Sequence, residues 1–136
     1  MESKAETHTV LVVDDAMDMR IYLKSLFKGQ GVCVEVARDG SEALARVRKG
    51  GVSLIVLDIM MPGEGGVLMY RRLKMEPELS AIPVIMHSAI SERMFTHYLR
   101  LEEGLGEALA PPLAYFEKPA EPGRLKAALA KGLQLC

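Results

Sequence analysis

SLIVLDIMMPGEGG, which occupies residues 53–66, decides the fold of this chain. Four apolar residues run directly into the carboxylate of Asp58, and a loop of proline and glycine follows. A short apolar run bounded by turn residues is typical of a fully buried strand in a parallel sheet. Ligands of such sheets bind just past the carboxyl ends of the strands. The stretch therefore predicts that Asp58 lies at a binding edge, on a rigid and buried support.

The same arrangement occurs nearer the N-terminus, where the apolar run VLVV at residues 10–13 leads into Asp14 and Asp15. The carboxyl ends of parallel strands lie at one edge of a sheet, so three carboxylates converge if these two strands are neighbours. Taken alone, Asp14 and Asp15 fit equally well as an acid pair that offsets the dipole of the following helix.

Five strand-like segments alternate with five helix-like segments along the chain, joined by short connections. Such alternation predicts a parallel sheet with helices on both faces. The requirement that Asp14, Asp15 and Asp58 meet selects the strand order 2-1-3-4-5, the flavodoxin-like doubly wound arrangement. We predict strands at 9–13, 32–37, 53–57, 82–87 and 113–116, and helices at 18–28, 41–49, between 67 and Pro77, from 91 onward, and at 122–133.

Local signals lead to further expectations. Asp18 is a candidate N-cap of the first helix, and Cys33 is expected to be a small core residue of an edge strand. Met75 is expected on the buried face of the third helix, together with Leu73. The fourth helix carries a broad apolar stripe, formed by Met94, Phe95, Tyr98, Leu99 and Leu101. The inner side of this stripe should be ordinary core.

Composition argues against several classes of protein. The 17 basic and 18 acidic side chains nearly balance, so the domain has no electrostatic footprint for direct binding of nucleic acid. No apolar run approaches the roughly 20 residues of a membrane span, and the N-terminus lacks the apolar core of a signal peptide. We therefore expect a cytoplasmic protein with a disordered tail at residues 1–8 and one domain at 9–136.

The residues expected at the sheet edge indicate phosphoryl chemistry. Three carboxylates repel one another unless a cation lies between them, and Mg²⁺ prefers oxygen ligands while keeping waters that a phosphate can replace. Ser88 and Lys118 follow strands four and five and add a hydroxyl and an ammonium group. Singly, Ser88 is more often a cap and Lys118 a solvated turn residue. Together the set predicts a phosphoryl-transfer site with Asp58 as the nucleophile.

The sequence resembles the receiver domain of two-component response regulators, from residue 10 to residue 133. Each matching piece is a weak signal alone, but their order and approximate spacing are specific. The pieces are Asp14-Asp15, DGSEAL at 39–44, DIMMPG at 58–63, Ser88-Ala89 and YFEKP at 115–119.

The resemblance implies a role for each site residue. Asp58 would accept a phosphoryl group from the phosphohistidine of a sensor histidine kinase or a phosphotransfer protein. Asp15, Asp58 and the backbone carbonyl of Met60 would bind Mg²⁺ directly, while Asp14 would act through water. Lys118 and Ser88 would contact phosphoryl oxygens.

The resemblance also implies a switch. Ser88 would move toward the phosphate and Tyr115 would swing inward behind it, although Tyr115 also fits as a half-buried edge aromatic. The Lys118–Pro119 bond is expected to be cis. A downstream effector, or a second copy of the chain, would then bind the face formed by helix 4, strand 5 and helix 5.

Two departures from the family pattern stand out. The loop after Asp58 usually carries an acid or Asn before its last Gly, where this chain has Gly65-Gly66; this could loosen the start of the third helix but removes no catalytic group. The interval between Ser88 and Lys118 is also longer than usual, with the excess at 101–112. That segment either packs against a partner or a second copy, or is a tolerated surface loop.

The side chains near the mouth of the site predict slow loss of the phosphoryl group. In receivers, the residues two positions after the phosphoacceptor and two after the Ser or Thr flank this mouth. Here they are Met60 and Ile90, which are apolar and cannot orient a hydrolytic water.

Three other functions fit the sequence less well. An interaction module that works without phosphorylation would not need the complete set of acids, Ser88 and Lys118. A haloacid-dehalogenase-like phosphatase needs a second Asp where this chain has Met60. A dinucleotide-binding oxidoreductase needs a glycine-rich turn after the first strand, where this chain has DDAMD at 14–18.

Overall fold

A computed structural model describes residues 8–60, 65–103 and 109–135, except for the side chains of residues 102 and 103. None of the helices among these residues is long and apolar enough to cross a membrane. The elements are β1 (Thr9–Val13), α1 (Met17–Lys28), β2 (Cys33–Ala37), α2 (Gly40–Arg48), β3 (Leu54–Leu57), α3 (Gly66–Met75), β4 (Val84–Ser88), α4 (Glu92–Glu103), β5 (Ala114–Glu117) and α5 (Pro122–Leu133). The predicted alternation is confirmed.

The five strands form one parallel sheet in the order β2-β1-β3-β4-β5, which confirms the predicted fold class. Val13 of β1 lies opposite Leu57 of β3. Both strands therefore end at the same edge of the sheet. There the backbone N–H of Asp58 donates to the carbonyl of Val13 at 3.0 Å. The register therefore brings Asp14 and Asp58 side by side.

Each face of the sheet has its own apolar core. One core includes buried residues of α2, α3 and α4, and the other includes buried residues of α1 and α5. Every residue of β3 is buried, because this central strand is covered by helices on both sides. Asp58 thus follows a fully buried strand in the middle of the sheet.

The N-cap prediction for α1 is wrong. Ala16 occupies the N-cap position, and Asp18 lies inside the first turn. The backbone N–H of Ala16 donates to Oδ1 of Asp14 at 2.9 Å. Because this bond folds the chain into a turn directly after β1, the helix begins earlier, at Met17.

Two core predictions are also wrong. Cys33 is exposed, because it is the first residue of the edge strand β2, whose inward side chains are Val34 and Ala37. Met75 is 58% exposed. It lies two residues after the buried Leu73, and residues at that spacing fall on different sides of a helix.

The apolar stripe of α4 divides into a buried and an exposed part. Phe95 and Leu99 are buried, which confirms the core on the inner side of the helix. Met94, Tyr98 and Leu101 are 44%, 41% and 66% exposed. α4 therefore presents large apolar side chains on two of its sides.

The end of the long segment 101–112 packs against the chain itself. α4 continues to Glu103, and residues 104–108 lie outside the described part of the chain. Leu109 then packs against the core on the α2–α4 side of the sheet. The buried Tyr70 donates its hydroxyl hydrogen to the carbonyl of Ala110. This bond anchors the segment to α3 before β5 begins.

Candidate functional site

Three carboxylates converge at the carboxyl edge of the sheet, as the sequence predicts. Asp14, Asp15 and Asp58 each offer an oxygen, and these oxygens lie within 4.8 Å of one another. Asp14 and Asp58 are buried, whereas Asp15 is exposed. The cluster therefore has a buried side held by β1 and β3 and an open side at Asp15.

Local backbone groups orient the two buried carboxylates. Oδ1 of Asp14 accepts a hydrogen bond from Ala16, and Oδ1 of Asp58 accepts one from the backbone N–H of Met60 at 3.0 Å. Burial raises the pKa of Asp14, although the hydrogen bonds from Ala16 and Lys118 oppose the rise. The charged form of Asp14 is therefore costly unless a cation lies beside it.

Lys118 supplies that cation from β5. Its Nζ lies 2.9 Å from Oδ2 of Asp14 and 3.0 Å from Oδ2 of Asp58. Burial alone would lower the pKa of Lys118, but the hydrogen bonds with Asp14 and Asp58 outweigh burial and raise it. The ammonium group of Lys118 thus bridges the two carboxylates, and Lys118 is not a solvated turn residue. The bond to Pro119 is cis, as expected.

Ser88 and Tyr115 meet at the start of α4. Ser88 is fully buried, and its Oγ accepts a hydrogen bond from the N–H of Ile90 at 3.2 Å. The hydroxyl of Tyr115 donates to the carbonyl of Ile90 at 2.6 Å. Burial raises the pKa of Tyr115 to about 12, so its hydroxyl remains a donor at neutral pH. Both residues predicted for the switch therefore hold the same short loop.

His87 precedes Ser88 and is buried in β4. Burial lowers its pKa to about 4, so the ring is neutral at physiological pH. Its Nδ1 has no hydrogen-bond partner among the described residues. The neutral ring adds no charge to the site.

Two further residues support the site, and of these Arg20 was not singled out from the sequence. Arg20 of α1 donates from Nη1 to the carbonyl of Asp14 at 2.7 Å, which fixes the backbone beneath the acid pair. Gly66 begins α3 so close to the preceding loop that an added Cβ would lie 2.6 Å from the carbonyl oxygen of Asp58. Gly66 is therefore required by this close approach.

The family model described as the response regulator receiver domain matches residues 10–130. This chain belongs to the receiver family. Receivers of response regulators in two-component systems are thus its relatives in fold and function. The phosphatase and oxidoreductase alternatives do not apply to it.

Curated relatives and solved structures agree with this assignment. The gliding motility regulatory protein of Myxococcus xanthus is 40% identical over 82 residues, which are 60% of this chain and 11% of that protein. The DNA-binding response regulator MtrA of Mycolicibacterium smegmatis is 33% identical over 118 residues, covering 87% of this chain and 47% of that protein. The receiver therefore spans half or less of the length of these relatives.

Two solved structures superpose closely on the receiver. A response regulator described as putative from Chloroflexus aurantiacus has a TM-score of 0.79 at 26% identity, covering 94% of this chain and 98% of that one. The Vibrio cholerae chemotaxis protein CheY4 has a TM-score of 0.75 at 25% identity, covering 92% of this chain and 98% of that one.

Replacing the buried acid should stabilise the receiver. Asp14→Asn keeps an oxygen for Ala16 and Lys118 but removes the charge that burial disfavours, so we expect a gain on the order of 1 kcal/mol near pH 7. Because the folded-state pKa of Asp14 is raised above its ordinary value of 3.8, the cost of its charge is present above the folded pKa and disappears as the pH falls toward 3.8. Urea unfolding across this range measures the difference.

Asp15→Asn provides a matched control, since it removes a charge of the same cluster from an exposed side chain. Its gain should be smaller than that of Asp14→Asn. A gain for Asp14→Asn that stays constant between roughly pH 7 and pH 4 would contradict the role of burial.

Proposed function

We propose that this receiver accepts a phosphoryl group on Asp58 from the phosphohistidine of a sensor histidine kinase or a phosphotransfer protein. The observation that carries the proposal is the position of Asp58 Oδ2, 3.0 Å from Lys118 Nζ and inside a cluster of three carboxylates. A nucleophilic carboxylate needs positive charge nearby to approach an anionic phosphoryl group. Lys118 and a divalent cation would supply this charge.

The donor set fits Mg²⁺. The carboxylates of Asp14, Asp15 and Asp58 offer hard oxygen ligands within 4.8 Å of one another, and Lys118 balances only one of their charges. Asp15, Asp58 and the backbone carbonyl of Met60 would bind the ion directly, and Asp14 would hold one of its waters. When bound, Mg²⁺ would neutralise oxygens of the incoming phosphoryl group and of Asp58.

In the proposed transfer, one bond to phosphorus forms as another breaks. An oxygen of Asp58 forms a bond to phosphorus as the bond from phosphorus to the imidazole nitrogen of the donor breaks. The electron pair of that bond returns to the imidazole. Lys118 turns from the two carboxylates to a phosphoryl oxygen, and the hydroxyl of Ser88 donates to another.

The transfer would act on partners through the start of α4. When the Ser88 hydroxyl turns to the phosphoryl group, its Oγ gives up the bond from Ile90, and Tyr115 gives up the carbonyl of the same residue. The loop before α4 would then shift. The adjoining groove of about 290 Å³ between α4, β5 and α5, which includes Phe116 and Arg124, suits a downstream effector or a second copy.

We further propose that the domain works in the cytoplasm and binds no nucleic acid itself. The nearly balanced charge of the chain, 17 basic against 18 acidic side chains, gives no basic excess for phosphate backbones. Any binding of nucleic acid would need another segment or another protein.

Phosphorylation of the isolated chain tests the proposal. With Mg²⁺ and acetyl phosphate, we expect one phosphoryl group that is stable in acid and lost in base, as an acyl phosphate is. Mass spectrometry of the intact protein and of its peptides measures the gain and its position. Asp58→Asn should abolish the gain, and Asp15→Ala should raise the Mg²⁺ concentration needed for it by roughly tenfold.

Asp18→Asn is the matched control, because Asp18 lies in the first turn of α1 outside the cluster. It should be phosphorylated like the unaltered chain. A phosphoryl group that persists in Asp58→Asn on another residue would refute the assignment, and no phosphorylation of the folded, Mg²⁺-bound chain would favour an interaction module that works without phosphate.

Two apolar side chains, which the family resemblance places at the mouth of the site, bear on the lifetime of the phosphoryl group. The side chain of Met60 is 54% exposed, and Ile90 is half-buried against the core on the α2–α4 side. Neither can donate or accept the hydrogen bonds that hold a water in line with the bond between Asp58 and phosphorus. We therefore propose slow dephosphorylation.

A paired substitution measures this effect. Met60→Asn with Ile90→Glu should speed dephosphorylation about tenfold or more, because both side chains could then orient the attacking water. The decay of phosphate on purified protein gives the rate. Met60→Leu is the conservative control and should leave the rate unchanged, while an unchanged rate in the pair would remove these side chains from the explanation.

A further inference from the structure

A groove of about 460 Å³ runs along the outer side of α4. Its lining residues are Ser91, Arg93, Met94, His97 and Tyr98, and we refer to it as the α4 groove. Met94 and Tyr98 are 44% and 41% exposed, although each is large and apolar. The phosphoryl site does not use any of these five side chains directly.

The α4 groove lies at the boundary of two stripes with helical spacing. Met94, Tyr98 and Leu101 form an exposed apolar stripe, and Arg93, His97 and Arg100 form a basic or potentially basic stripe beside it. Both sets follow the spacing i, i+4, i+7, which keeps residues on one side of a helix. Among the side chains that the structure describes, no carboxylate lines the groove.

The groove is separate from the α4–β5–α5 face. Glu92 lines a cavity with Tyr115 and Phe116 of β5, and Thr96 lines one with Pro111. Met94 and Tyr98 fall on roughly the opposite flank of α4 from Glu92 and Thr96, at about 100° per residue. A partner in the α4 groove therefore need not compete for the β5 side of the helix.

One end of the α4 groove is tied directly to the switch residues. Ser91 caps α4, since its Oγ accepts from the N–H of Met94 at 3.1 Å and its carbonyl accepts from Phe95 at 3.0 Å. The same carbonyl lies 3.3 Å from the hydroxyl of Tyr115. Any displacement of Tyr115 or of the loop that begins at Ser88 would thus alter the end of the groove.

We propose that the α4 groove binds an acidic, amphipathic helical segment of a partner protein. The apolar stripe on α4 matches the spacing with which one helix packs along another, and Met94 can adapt its shape to different partner side chains. Charge complementarity assigns glutamate or aspartate to the partner, opposite Arg93 and His97. Control of this binding by phosphorylation rests on the proposed function.

Other occupants fit the observations less well. A second copy docked symmetrically through this groove would bring Arg93 and His97 close to the same basic residues of its partner. An anionic membrane would find only the three exposed apolar side chains of α4, Met94, Tyr98 and Leu101, on a helix whose other side is buried. An acidic amphipathic helix would cover the apolar stripe with its apolar side and place its carboxylates beside the basic stripe.

Direct binding of defined peptides tests the proposal. The probe is a fluorescein-labelled helical peptide of roughly sixteen residues, four turns of helix, with leucines at the 3-4 spacing and glutamates beside them. Fluorescence anisotropy should report a Kd of about 10–100 μM that weakens as salt is added. The same peptide with lysine in place of every glutamate should bind at least about tenfold more weakly.

Variants of the chain locate the binding. Arg93→Ala, and separately the pair Met94→Ser with Tyr98→Ser, should each weaken the glutamate peptide by about tenfold. The matched control is Ile21→Ser with Tyr22→Ser, which removes exposed apolar side chains of α1 and should leave the Kd unchanged. Circular dichroism confirms that each variant is folded before it is compared.

Three results would overturn the proposal. The first is failure of the glutamate peptide to bind up to about 1 mM, and the second is equal binding of both peptides. The third is that the chain binds anionic vesicles or a second copy of itself instead of the peptide, and loses this binding in the Arg93 and Met94/Tyr98 variants. Because peptide binding is measured on unphosphorylated protein, the result does not depend on whether Asp58 can be phosphorylated. Treatment with Mg²⁺ and acetyl phosphate should then shift the Kd of the unaltered chain at least about threefold and leave that of Asp58→Asn unchanged.

Discussion

The ammonium group of Lys118 lies between the carboxylates of Asp14 and Asp58, and the site depends on this arrangement. Both carboxylates are buried, and two buried anions side by side are costly without a cation. The flanking strands supply the geometry, because Asp14 follows β1, Asp58 follows β3 and Lys118 follows β5. The resting site is therefore neutralised only in part, and its remaining negative charge favours a divalent cation.

The two residues proposed for the switch, Ser88 and Tyr115, hold the same short loop. Ser88 and Tyr115 both bond to Ile90, at the point where β4 leads into α4. Phe95 in the first turns of α4 packs between Tyr70 and Tyr115, with ring centroids 5.5 Å and 5.7 Å away. Tyr70 in turn holds the carbonyl of Ala110. A change at the proposed phosphoryl site would thus reach α4 and the segment that follows it through packed side chains.

The sequence sufficed to predict the sheet order and the convergence of the acids, because apolar runs that end in Asp14 and Asp58 have one compatible topology. It could not identify the N-cap of α1, since the bond from Ala16 to Asp14 depends on the turn that the chain makes. It also could not predict the exposure of Cys33, which follows from the place of this residue at the very start of the edge strand β2. The sequence also could not show why Gly66 is needed, because the close approach of Asp58 to α3 is a tertiary contact that local glycine patterns do not encode.

The most direct test is a crystal structure of the chain with Mg²⁺ and beryllofluoride, an analogue of the phosphoryl group. The account predicts that beryllium is attached to Asp58 and that Mg²⁺ contacts Asp15, Asp58 and the carbonyl of Met60. Lys118 should have left Asp14 to contact a fluoride. A structure in which Lys118 still bridges Asp14 and Asp58, with the ion and the fluoride bound elsewhere, would contradict it.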